Sequence, residues 1–124
     1  MSNISRKIGQ IGEKQAKIFL QKRGFIIKKT NYWLPWGELD LVAFKDNVWY
    51  FCEVKTFIST KENVSREPED LISERKIKSL KRTIDYYLEN EVIDLNCDWT
   101  VVAILITLSK DFKLIDLQWL EDII

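Results

Sequence analysis

Two hydrophobic periods alternate along the chain, and the switches between them mark out its elements. From about Ser5 to Arg23 the spacing is helical, with Ile4, Ile8, Ile11, Phe19 and Leu20 at the apolar positions and Gly24 as a stop. Phe25–Thr30 reads as a first strand, and Asn31-Tyr32-Trp33-Leu34-Pro35-Trp36-Gly37 as a loop. Two alternating segments follow, Glu38–Lys45 and Val48–Phe57, separated by Asp46-Asn47, two residues that tolerate the positive φ of a two-residue hairpin turn. Ile58–Glu67 is polar and aperiodic, a flexible loop. Helical spacing returns from about Pro68 to Asn90 through Ile77, Leu80, Ile84, Tyr87 and Leu88. Trp99–Leu108 is almost wholly apolar and β-branched, as suits a central strand covered on both sides. Phe112–Leu117 is expected to pair with it through Ser109-Lys110-Asp111, and the last residues to form a short helix. The order αβββαββ predicts an α/β fold in which a mixed central β-sheet is flanked by α-helices.

At 124 residues, 46% of them apolar, the chain fits a single domain, 1–124, with its own core. Its longest apolar run, Val101–Ile106, falls far short of the roughly 20 residues of a membrane span. The N-terminal residues lack the apolar segment of a secretion signal, and Cys52 and Cys97 are too few for a disulfide scaffold. A soluble cytoplasmic protein is the expectation. The absence of any His excludes Ser-His-Asp and Cys-His hydrolysis and His-containing zinc sites. Catalysis, if present, has to use carboxylates, lysine, tyrosine or a metal held by oxygen ligands.

The 19 basic and 19 acidic residues cancel, but they are unevenly placed. Residues 1–30 carry eight basic groups against Glu13 alone, whereas residues 83–124 carry nine acids against Lys110 and Lys113. Arg75, Lys76, Lys78, Lys81 and Arg82 form a second basic cluster between them. Such a charge dipole has a face suited to phosphates, although solvated helix faces would account for the same runs.

A turn on Asp46-Asn47 sets facing residues at numbers totalling 93, so that Val42 opposes Phe51, Asp40 opposes Glu53 and Glu38 opposes Lys55. Alternation then projects Glu38, Asp40, Glu53 and Lys55 from the same face as Val42, Phe44, Trp49 and Phe51. Like charges directly opposed on a partly buried face are destabilising unless something positive sits between them. Lys55 is one candidate, and a divalent cation is the other. Carboxylates without His or Cys nearby favour Mg²⁺ or Mn²⁺, which would polarise a phosphoryl oxygen and activate a water. A plain ladder of charged cross-strand pairs on an exposed sheet is the competing reading.

Two further features stand out. Gly9, Glu13, Ala16 and Leu20 share a face of the first helix, which aims the Glu13 carboxylate at neighbouring structure unless it turns to water. Trp33 and Trp36 either stack on exposed bases or pin their loop to the core.

The segment Gly37-Glu38-Leu39-Asp40-Leu41-Val42-Ala43, a turn, and Phe51-Cys52-Glu53-Val54-Lys55 together resemble the D…ExK signature of PD-(D/E)xK nucleases. The arrangement is most similar to the bacterial YraN-like proteins, which are themselves similar to archaeal Holliday junction resolvases. Gly12-Glu13, Ala16, Leu20, Gly24-Phe25 and Asn31 upstream, and Pro68-Glu69 and Lys76 downstream, also match that family's pattern. The chain departs from it at Trp33, Arg66 and Asp98-Trp99-Thr100, where the family usually has arginine, glycine and Arg-Phe-Asp.

The resemblance implies a restriction-endonuclease-like fold, with Asp40 and Glu53 as metal ligands, Lys55 as the catalytic lysine and Glu13 as a further acid. Glu38 is then an additional ligand or a partner of Lys55. The implied activity is Mg²⁺- or Mn²⁺-dependent endonuclease cleavage of branched or structured DNA. The basic helices would grip that DNA through Lys7, Lys14, Lys17, Arg75, Lys76, Lys78 and Arg82, and a two-fold symmetric junction would suit a homodimer. Since fold does not settle function, a catalytically inactive module that binds nucleic acid or another protein is the alternative.

Overall fold

A computed structural model describes residues 3–59, 73–92 and 96–124. Helix α1 spans Asn3–Lys22, strands β1 to β3 span Ile26–Leu34, Gly37–Lys45 and Val48–Ile58, helix α2 spans Glu74–Glu91, and strands β4 and β5 span Asp98–Leu108 and Leu114–Glu121. The five strands form one sheet in chain order, antiparallel throughout except for the parallel β3–β4 pair. This is the α/β arrangement αβββαββ of a restriction-endonuclease-like fold, with a helix on each face of the sheet. The expected loop from Ile58 gives way to strand at Ile58 itself. Its remainder from residue 60, with Arg66 and Pro68-Glu69, lies outside the described residues, as does the expected start of the second helix.

Side-chain alternation divides the core between the two faces. Leu41, Ala43, Cys52, Val102, Ile104 and Ile106 pack with Ala16 and Leu20 of α1. Val42, Trp49, Phe51 and Val101 pack with Leu80, Ile84 and Tyr87 of α2. Strand β4 is covered on both sides as its continuous apolar run requires, with Val101–Ile106 all buried. The hairpin turns on Asp46 and Asn47, both at positive φ, in the register read from the sequence, Lys45 facing Val48 and Val42 facing Phe51.

Three local expectations are corrected. Asn31–Leu34 is strand, not loop, because Tyr32 turns inward to meet the Tyr87 ring at 5.1 Å while Trp33 turns out, which leaves Pro35-Trp36 as the turn. The chain ends in strand to Glu121, not in a helix: Leu117 and Trp119 alternate onto the α1-side core, and Trp119 lies 5.9 Å from the Phe19 ring. In α1 the packed positions are Gly12, Ala16 and Leu20, and Gly9 touches nothing closely.

Candidate functional site

The β2–β3 ladder runs from Lys45↔Val48 to Leu41↔Cys52 and there divides. Beyond that point β2 continues beside β1 as far as Gly37, and β3 continues beside β4 as far as Ile58. Asp40 and Glu53 are the first residues past the fork. The backbone N–H of Val54, instead of joining a ladder with β2, donates to Asp40 Oδ2 at 2.8 Å. A side-chain carboxylate thus fills the gap between parting strands, and the same bond fixes where Asp40 points.

Glu53 is 2% exposed and one of the few buried polar residues. Its Oε2 meets Lys76 Nζ of α2 at 3.5 Å, while its Oε1 is buried with no hydrogen-bond partner. Burial, followed by the neighbouring Asp40 charge, pushes the Glu53 carboxyl up to about 7, against the pull of Lys76 and Lys55. Asp40 is also raised, chiefly by burial, and is held down by the Val54 N–H, Lys76 and Lys55. Desolvation therefore outweighs two lysines, as expected of carboxylates crowded into a nearly dry corner.

The four charged residues do not all share one face. Leu39 packs on the α2 side and Leu41 on the α1 side, so alternation breaks between them. The break coincides with an irregularity on β1, where Asn31, between the Thr30–Leu41 and Tyr32–Leu39 pairs, has φ 51. Glu38 then lies on the α1 side, away from Val42 and Phe51. With its amide oriented to satisfy both acids, Asn31 donates to Glu38 Oε1 at 3.1 Å and to Glu13 Oε1 at 3.3 Å. Glu13 is half-buried and its carboxyl is raised, first by burial and then by Asp40, with Asn31 opposing. Asp40 thus joins two groups of acids: Glu13 and Glu38 on the α1 side, and Glu53 with its lysines on the α2 side.

Two glycines set the neighbouring elements close enough for this. A Cβ on Gly12 would overlap the Thr56 side chain of β3, so the residue before Glu13 lets α1 sit against the strand that carries Glu53 and Lys55. A Cβ on Gly37, the residue before Glu38, would collide with Ser79 and Thr83 of α2. That end of the β1–β2 hairpin is tied down further, since Ser79 Oγ donates to the Trp36 carbonyl at 2.7 Å. The Trp36 ring lies under Arg82 at 4.2 Å and against Tyr86 at 5.6 Å. Trp36 therefore pins its turn to α2, whereas Trp33, directly across from Glu38, is 69% exposed.

Among the expected phosphate-binding residues, Lys7, Lys14, Arg75, Lys78 and Arg82 are exposed and Lys17 is partly so. Lys76 differs from them in reaching inward to Glu53. Asn31, Val54 and the inward course of Lys76 carry no signal in charge patterning; Asn31 could have been found only through the family pattern that it matches.

Among the described residues no three His, Cys, Asp or Glu side chains converge to hold a metal ion. The Asp40–Glu53 pair nevertheless fits a hard cation. Mg²⁺ ordinarily takes one or two carboxylates, with waters and substrate phosphate completing its shell, and the bare buried Glu53 Oε1 is an acceptor in want of a positive partner.

A five-stranded mixed sheet with a helix on each face, its central strands parting at Asp40 and Glu53, is the architecture of a restriction-endonuclease-like α/β fold. Within that class the chain belongs to the uncharacterised protein family UPF0102, the YraN-like proteins, whose profile matches residues 12–106. It is 33% identical over 104 residues to a UPF0102 protein of Sulfurimonas denitrificans, covering 84% of this chain and 89% of that one. It is also 39% identical over 87 residues to one of Syntrophomonas wolfei, covering 70% and 73%. A relative from Clostridium acetobutylicum matches at 29% identity over 123 residues, 98% of this chain and 97% of its own. No helix among the described residues is long and apolar enough to cross a membrane.

Proposed function

We propose that this protein is a Mg²⁺- or Mn²⁺-dependent endonuclease, or nuclease-like DNA-processing protein, that hydrolyses phosphodiester bonds in branched or structured DNA. The observation that carries the reading is the buried Glu53 carboxylate, with one oxygen unpartnered, beside Asp40 at the strand fork. A divalent ion held by these two carboxylates would polarise the scissile phosphate and lower the pKa of a water. The chain's own residues do the rest. Val54 N–H orients Asp40. Lys55, two residues after Glu53 and close enough to act on both acids, offsets negative charge on the phosphate or positions the attacking water. Glu13 and Glu38, bridged by Asn31, supply further oxygen acceptors on the α1 side. Lys7, Lys14, Lys17, Arg75, Lys78 and Arg82 provide phosphate contacts along the two helices.

A second reading, a non-catalytic nucleic-acid-binding module, draws support from the Lys76–Glu53 ion pair, which supplies a built-in cation where a metal would sit. Incubation with branched, single-stranded and duplex DNA in Mg²⁺ or Mn²⁺ separates the two. The nuclease reading predicts cleavage of branched DNA that is lost in Glu53→Gln and Lys55→Ala variants whose circular dichroism matches wild type. Undiminished cleavage in both variants contradicts it. Salt-sensitive binding without cleavage in any metal selects the module.

A further inference from the structure

Lys76 occupies a position unlike any other basic residue of its helix. Arg75, Lys78, Lys81 and Arg82 are exposed, but Lys76 is partly buried and brings Nζ to 3.5 Å from Glu53 Oε2. Its side chain keeps 35% exposure, whereas that of Glu53 keeps 3%. The carboxylate is locked in the fold, and the ammonium is the partner able to leave. The Lys76 backbone is anchored independently, since its N–H donates to Ser73 Oγ at the helix cap at 3.2 Å, so departure needs only rotation of the flexible stem. The pairing is also incomplete. A buried carboxylate with one oxygen on a lysine and the other on nothing is a half-satisfied arrangement that a better cation can displace.

We propose that Lys76 is an internal counter-ion that holds the Glu53 pocket until a divalent cation arrives, and then surrenders Glu53 to that cation and turns its ammonium to the DNA phosphate. The inference rests on the metal-dependent reading above and deepens it. A lysine ammonium and a divalent ion drawn to the same carboxylate, even through different oxygens, repel each other at this depth, so each weakens the hold of the other. Apparent metal affinity is then scaled by the fraction of molecules in which Lys76 has released Glu53.

Binding of Mn²⁺ alone, followed by loss of the free-ion paramagnetic resonance signal, tests this without any appeal to activity. Wild type is compared with Lys76→Met and with Lys81→Met, which removes the same charge from an exposed position on the same helix. Lys76→Gln serves if the Met variant does not fold. The expected result is Mn²⁺ binding about tenfold tighter on loss of Lys76, the ratio for a lysine that holds Glu53 about nine-tenths of the time, with Lys81→Met unchanged. Equal affinity in wild type and the Lys76 variants, or equal tightening in Lys81→Met, overturns the counter-ion role while leaving the metal site standing. No binding by any of these proteins removes the metal reading and this inference together.

Discussion

Glu53 dominates the electrostatics of the strand fork because it is a carboxylate where a carboxylate is expensive. Its folded-state pKa of about 7 lies above the ordinary 4.5, so between those values the folded protein holds a proton that the unfolded chain has lost. Stability from this group is therefore fully present below about pH 4.5 and is lost as pH rises through about 7. Asp40, raised in the same direction, adds to the trend. Without metal, the melting temperature is expected to fall between about pH 5 and about pH 8, with a shallower fall in Glu53→Gln. Identical slopes in the two proteins would refute this account of the site. The hairpin register is legible as far as Leu41↔Cys52, because register is arithmetic once the turn is known, but the parting of the strands there, which leaves Asp40 and Glu53, and Glu38 and Lys55, out of any ladder, is not. Nor is the orientation of Glu38: the break in alternation between Leu39 and Leu41, beside the positive φ of Asn31 on the neighbouring strand, leaves no trace in the pattern of β2. Trp33 and Trp36 looked alike in sequence, and only the packing of α2 against their turn distinguishes the pinned ring from the exposed one.

Among the elements, α1 matters for what its close approach positions. Gly12 abuts Thr56 so tightly that Gly12→Ala must push the helix off β3 and carry Glu13 away from Asp40 and Asn31. Overpacking of this kind costs about 1–3 kcal/mol, which chemical denaturation can measure. Gly9→Ala, with open space around it, should instead leave stability unchanged or slightly improved. A Gly12→Ala variant as stable as wild type would show that α1 is not held where described. The first helix, the hairpin and β4 match their expected bounds to within two residues, because their periods are sustained and their turn chemistry is strong, whereas the second helix matches at its C-terminal end and begins at Glu74 after the extended Ser73 cap, later than the expected Pro68. Strand β1 was cut short because Asn31 and Pro35 read as turn signals while the inward Tyr32 between them depends on a partner, Tyr87, that is distant in sequence. The C-terminal strand was mistaken in part for a helix for the same reason: its alternation becomes visible only once Phe19, Phe25 and Tyr50 are known to receive Trp119.

For the whole molecule, zero net charge conceals a division of labour. Basic residues gather on the two helices that cover opposite faces of the sheet, and the acids near the strand fork are buried or bridged, so the sum says nothing about either. Under the proposed function, the logarithm of DNA affinity should fall linearly with the logarithm of salt concentration, and each exposed lysine that contacts phosphate, Lys14 or Lys78 for example, should reduce that slope by about one when replaced by alanine. A salt-independent affinity would mean that the helices do not face DNA. The missing histidine, which narrowed the chemistry at the outset, agrees with a site made of carboxylates and lysines alone. The central claim is that Asp40 and Glu53 together form a seat for a hard divalent ion, and anomalous diffraction from crystals soaked in Mn²⁺ addresses it most directly. The account predicts an anomalous peak bridging the two carboxylates, with Lys76 Nζ withdrawn from Glu53. Glu53 still paired with Lys76, and no peak at the fork in saturating Mn²⁺, would contradict it.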